Sequence, residues 1–177
     1  MGELGHDSEN CHIIDRCINR GVIEGFEHAG GLCGACWYNH PLYISNCMNW
    51  GSVNSKENVG GLFGAGSFVE IKNSCNMGDV KCDYNGGISG LIGEGGNVVL
   101  ENVYVGGTIS RGPSGNSYDI LKDDYYVVGS GSIPETFTIT NVYIPKSDNN
   151  VNSTPVKRYD ANWNVLGMSP AKSLVMR

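Results

Sequence analysis

Apolar residues recur along this chain at a fixed register. Ile14, Ile44, Ile71, Leu100 and Ile139 each open a similar stretch, at steps of 30, 27, 29 and 39 residues. We call these the zero positions. Two residues before them stand His12, Leu42, Val69, Val98 and Phe137, and two after stand Arg16, Asn46, Asn73, Asn102 and Asn141. Asn19, Asn49 and Asn76 follow five after. Gly21, Gly51, Gly78 and Gly107 follow seven after, and Ile23, Val53, Val80 and Ile109 nine after. The spacing of two is that of a strand, and it predicts one face reading apolar, apolar, Asn. Frequent Gly and Asn, with β-branched residues at the repeated positions, argue against helix.

A second block follows the first: AGGLCG at 29–34, VGGLFG at 59–64 and ISGLIG at 88–93. A fixed period of this length is the mark of a repeat architecture. The expected fold is all-β: a parallel β-solenoid of about four to five repeats of 27–30 residues. Each repeat is read as two short strands joined by Gly-bounded turns, and stacking the coils buries faces that no single coil can bury. Like residues then lie over like. Asn46, Asn73, Asn102 and Asn141 are expected to form one hydrogen-bonded ladder, and Asn19, Asn49 and Asn76 a second. The glycines are expected at positive φ or at tight backbone contacts.

The repeats are expected to fill 1–150, with an incomplete first repeat and an insertion at about 110–136. The stretch 151–177 carries Pro155 and Pro170 and no repeat, so it reads as a cap or a linker. Gly2-Glu3-Leu4-Gly5 precedes Ile14 at repeat spacing, which reads as a chain that starts inside a repeat of a longer polypeptide.

Composition narrows the partners. Gly makes up 26 of the 177 residues, roughly twice average usage. The net charge of −6 disfavours nucleic acid. No run reaches the ~20 apolar residues of a membrane helix, and residues 1–10 have no basic or apolar region of a signal peptide.

Little in the sequence points to chemistry. Zinc-protease, nucleophile-elbow and phosphate-loop motifs are absent. Cys33 and Cys36 have the spacing of a metal or redox pair, but no second pair accompanies them. Cys33 also fills the slot of Phe63 and Ile92, so a buried apolar thiol is the simpler reading. Cys17, Cys47 and Cys75 read as a stack of buried thiols. His12 falls in a core-facing column but at an open end, so exposure is expected for it. Asp119, Asp123 and Asp124 lie in the insertion, where calcium or an acid pair would have to sit. No catalytic residue, metal or cofactor is assigned. The candidate binding residues are Trp37, Tyr38 and Trp50, aromatic side chains that could stack on sugar rings from a flank of the solenoid.

Gly31-Leu32-Cys33-Gly34, Gly61-Leu62-Phe63-Gly64 and Gly90-Leu91-Ile92-Gly93, together with Asn46-Cys47-Met48-Asn49-Trp50-Gly51, resemble the GLUG-motif repeats of bacterial surface and adhesin-like proteins. These repeats also occur in the non-catalytic part of some immunoglobulin A peptidases. The resemblance covers about 14–109. It implies an exported, cell-surface setting and a structural or adhesive module of a larger protein, with a glycan or host surface protein as partner. The alternative is a β-helix lyase or hydrolase acting on polysaccharide. A trimeric fibre has nothing specific in its favour.

Overall fold

The computed structural model describes residues 3–4, 11–37, 40–84, 87–111, 136–143, 156–159 and 165–169. Among them the regular structure is all strand, and the chain winds as a parallel β-solenoid. Coil one contains the strands His12–Asp15, Ile18–Asn19, Ile23–Glu24, Ala29–Gly30 and Cys33–Cys36. Coil two repeats them as Leu42–Ser45, Met48–Asn49, Val53–Ser55 and Val59–Gly60. It closes with the start of Phe63–Lys72, which runs on into coil three. Coil three adds Cys75–Asn76, Val80–Cys82, Ile88–Ser89 and the start of Ile92–Val105.

That gives three complete turns, with part-turns at both ends, in place of four to five repeats. Glu3–Leu4 pairs in front with Ala35 and Cys36, and Thr136–Tyr143 pairs behind with Ile92–Val105. Each turn has five short strands rather than two, laid into three parallel sheets. The residues 112–135, which hold most of the expected insertion, lie outside the described residues. Within 151–177, Val156–Tyr159 and Val165–Ser169 form their own antiparallel pair.

The register follows the sequence repeat. Ile14 pairs with Ile44, Ile44 with Ile71, Ile71 with Leu100, and Leu100 with Ile139. The first four are at most 3% exposed. They share a core with Leu32, Leu62 and Leu91 of the second block and with Phe63 and Ile92. Each such fully buried side chain contributes roughly 1.5–3 kcal/mol. A smaller core gathers Ala29, Val53, Val59, Val80, Cys82 and Ile88.

The expected face breaks at the residue two after zero. Arg16, Asn46, Asn73, Asn102 and Asn141 have φ of 55°, 54°, 47°, 53° and 52°. They are left-handed corners, and their side chains are exposed rather than inward. Asn is the residue that tolerates this conformation best after Gly. The outer ladder therefore forms only in part. Asn141 donates to Asn102 and Asn102 to Asn73, at 2.9 and 3.0 Å. The Asn46 amide donates instead to the Asp15 carboxylate at 2.8 Å.

The inner ladder forms as expected. Asn19 Nδ2 donates to Asn49 Oδ1 at 2.8 Å, and Asn49 Nδ2 to Asn76 Oδ1 at 2.7 Å. Each of the three amides also closes a turn by bonding the N–H and C=O of the Gly two residues on. Asn49 and Asn76 are fully buried, and these bonds satisfy polar groups that would otherwise be costly there. The ladder ends where Val105 pairs with Asn76.

Gly31 and Gly61 explain why the two sequence blocks travel together. A Cβ on Gly31 would lie 2.5 Å from Asn49 Cγ, and one on Gly61 2.3 Å from Asn76 Cγ. The Asn side chain of one coil thus fills the space left by the glycine of the coil before it. Contact, and not positive φ, is what requires glycine at these positions.

Candidate functional site

Trp37 leaves the last strand of coil one and is half-buried. Its ring meets His28 edge-on, with centroids 5.2 Å apart and planes at 78°. His28 is itself a left-handed corner, φ 51°, so the indole braces a bend. Tyr38 lies outside the described residues. Trp50 sits at a different corner, after Met48–Asn49, and is 47% exposed. Its column holds Arg20, Met77 and Gly106 in the other turns. Trp37 and Trp50 therefore lie at different corners: Trp50 is exposed, and Trp37 is engaged with its own coil.

A second surface was not anticipated. Phe26, Lys56 and Tyr84 stack across three successive turns, with the Lys56 ammonium 4.4 Å from the Phe26 ring centroid and 5.7 Å from that of Tyr84. Phe26 is 63% exposed and Tyr84 45%. Such contacts contribute about 0.5–1 kcal/mol at an exposed site. The signal was present in the sequence: Phe26 and Lys56 both lie twelve residues after zero, and Tyr84 thirteen. The three differ in type, so a search for repeated residues passes over them. Tyr43 and Phe68 make a further aromatic pair at 6.3 Å.

Several ionisable groups among the described residues are engaged in surface hydrogen bonds and ion pairs. Asp15 Oδ1 accepts from Ser45 Oγ at 2.7 Å and from Asn46, which holds its carboxyl below the usual range. Asp79 Oδ1 accepts from the Thr108 hydroxyl at 2.7 Å and its N–H at 2.9 Å, with the same effect. Lys72 sits 3.0 Å from Glu70 and 3.5 Å from Glu101. All but the Lys72–Glu70 pair join one coil to the next at the surface. A general acid would instead need a carboxyl raised toward neutrality. Among the described residues no group of three or more His, Cys, Asp or Glu is placed to hold a metal ion. Asp119, Asp123 and Asp124 lie outside them.

The seven cysteines are thiols and not disulfides. Cys33 and Cys36 are completely buried. Burial pushes the Cys33 thiol up to about 12, with Cys36 beside it adding to the shift, and burial raises Cys36 as well. A thiol buried and held protonated in this way is a poor nucleophile at neutral pH. Cys47 and Cys75 are buried and raised by the same cause. Cys17, expected among the buried thiols, is exposed. It stands at the front of its column, where among the described residues no turn covers it. Ser74, not Cys75, continues that column: the Cys47 N–H donates to Ser74 Oγ at 3.0 Å. His12, expected to be open, is half-buried beside His40 at 5.9 Å between ring centroids. Its Nε2 is buried without a hydrogen-bond partner.

No protein-family model matches the chain, and neither a curated protein nor a solved structure does.

Proposed function

We propose that this chain is a non-catalytic structural and adhesive repeat module of a larger, exported bacterial surface protein. In this reading it presents its flank to a glycan or a host surface protein. One observation carries it: the repeated columns are apolar side chains, an Asn ladder and glycines in backbone contact, all engaged in stacking. The flank columns vary from turn to turn, as Arg20, Trp50 and Met77 do, and as Phe26, Lys56 and Tyr84 do. A scaffold that binds by its side fits this division. Exposed aromatics with an adjacent ammonium suit the apolar faces and hydroxyls of a sugar chain. The resemblance to GLUG-motif repeats supports the same cell-surface setting. The acidic surface is a poor match for nucleic acid.

The test is a glycan array probed with the intact chain, then with Trp50→Ala and with a Phe26→Ala/Tyr84→Ala variant. Binding that one of these variants abolishes, at unchanged stability, is the expected result. Turnover of a uronic-acid polymer by the chain, lost in an Asp123→Ala/Asp124→Ala variant, would replace this reading with the polysaccharide-active enzyme.

A further inference from the structure

The front edge of coil one is open. Its strands from His12–Asp15 to Ala29–Gly30 pair with coil two and, among the described residues, with nothing on the other side. Ile13, Ile18, Val22 and Phe26 of this coil are between 55% and 68% exposed. An edge of this kind is a template for strand addition.

Three features of the edge specify what fits it. The first is glycine. A Cβ on Gly51 would lie 1.8 Å from the Gly21 carbonyl oxygen. On Gly78 it would lie 1.9 Å from that of Gly51, and on Gly107 1.9 Å from that of Gly78. Each glycine is required by the carbonyl of the turn in front of it. Gly21 has the residue without the carbonyl: among the described residues its Cβ would meet only Asn19 Oδ1, at 3.6 Å. The second is the inner ladder. Asn49 Oδ1 and Asn76 Oδ1 each accept an amide from the turn in front, whereas among the described residues Asn19 Oδ1 accepts only the Gly21 N–H. The third is the cysteine column. The Cys17 N–H donates to Cys47 Sγ at 3.3 Å, as the Cys47 N–H does to Ser74 Oγ. Cys17 Sγ is the next acceptor in that line, and it is exposed.

We propose that this edge is a docking surface for one further coil of the repeat's own chemistry. The incoming segment is a parallel strand with apolar residues two apart, an Asn five after the second and a Gly seven after it. Its Asn amide donates to Asn19 Oδ1, its Gly carbonyl lies against Gly21, and its third N–H after the zero position reaches Cys17 Sγ. Ile13, Ile18 and Val22 lose solvent in the process. A whole second copy stacked head to tail fits less well, because beyond Asn76 the ladder column reads Val105 and, in sequence register, Ile144, where the docking needs Asn. This inference does not rest on glycan binding by the flank.

The experiment titrates the intact chain with a synthetic peptide of residues 41–53 that carries Ser in place of Cys47. Calorimetry reads binding, and mass spectrometry reads the maleimide labelling rate at Cys17. The peptide is expected to bind and to slow Cys17 labelling several-fold, and the same peptide with Asn49→Ala is expected to do neither. Gly21→Ala in the protein is expected to leave the urea midpoint unchanged and to abolish both effects, since its methyl group occupies the place of the incoming carbonyl. Peptide binding without Cys17 protection, equal protection in folded Gly21→Ala, or no binding to the native chain overturns the proposal. Concentration-dependent self-association that Gly21→Ala removes, without peptide binding, assigns the edge to a second copy and overturns it too. A chain that takes the peptide and no glycan keeps this inference and loses the adhesive reading.

Discussion

Coil one and coil two carry the same columns and use them differently. Cys47 is fully buried and its counterpart Cys17 is exposed. Asn49 is fully buried and makes four side-chain hydrogen bonds, while Asn19 is half-buried and makes three. Gly51 is pressed on the Gly21 carbonyl, whereas a Cβ on Gly21 would meet, among the described residues, only Asn19 Oδ1 at 3.6 Å. In a solenoid, then, the neighbouring turn decides what a residue does, and a residue's own sequence context decides only its column.

The largest way to break that comparison is in the core. Ile71→Ala removes a side chain with no exposure, between Ile44 and Leu100, and is expected to cost about 2–5 kcal/mol. Ile18→Ala, on the open turn, is expected to cost less than about 0.5 kcal/mol. Urea titrations of the two variants measure the difference, and similar midpoints would end the contrast. Next comes the glycine column. Gly51→Ala forces a methyl group onto a carbonyl and is expected to cost about 1–3 kcal/mol, with Gly21→Ala near zero.

A smaller effect should come from the corner at Arg16. Asn fills that corner in the next four turns, so Arg16→Asn is expected to raise stability by about 1 kcal/mol. The exposed Arg16–Asp15 ion pair that it removes contributes little. Thermal melts of the variant decide this, and an unchanged or lower midpoint would count against it. The smallest effect concerns acid. The folded-state carboxyl of Asp79 lies below its ordinary value because of its hydrogen bonds to Thr108. Its contribution is therefore present above the unfolded carboxylate value of about 3.9 and lost as pH falls through the folded value. Thr108→Val removes one of those bonds, so the loss of stability on acidification below about pH 4 should be shallower than in the native chain.

The columns were legible in the sequence wherever a residue type is repeated. The zero positions, the inner Asn ladder and the Gly–Leu blocks could be aligned by eye and fall in register. The corner at Asn46 and its equivalents was not legible, because alternation says nothing about the sign of φ. A left-handed residue and a strand residue leave the same trace in a period of two. The contact between Gly31 and Asn49 was hidden for another reason: it crosses the core between different coils, so neither block contains it. The Phe26–Lys56–Tyr84 stack was missed because cation and ring attract without resembling each other. Trp37 and Trp50 could be picked out as aromatic, but only the fold separates the one that braces a bend from the one that faces solvent.

The constant register has a kinetic side. Pairing Ile14 with Ile44 joins residues 30 apart, and pairing Ile44 with Ile71 joins residues 27 apart. The first three rungs, at 30, 27 and 29 residues, therefore close loops of nearly the same length, at nearly the same entropic cost. The first pair of coils meets that cost without a preformed surface, and each later coil meets it against a finished one. Such a chain nucleates slowly and then zips. Amide exchange should be slowest around Asn49 and Asn76, where both neighbours are in place, and should quicken outward turn by turn toward Asn19, which among the described residues has a ladder partner on one side alone.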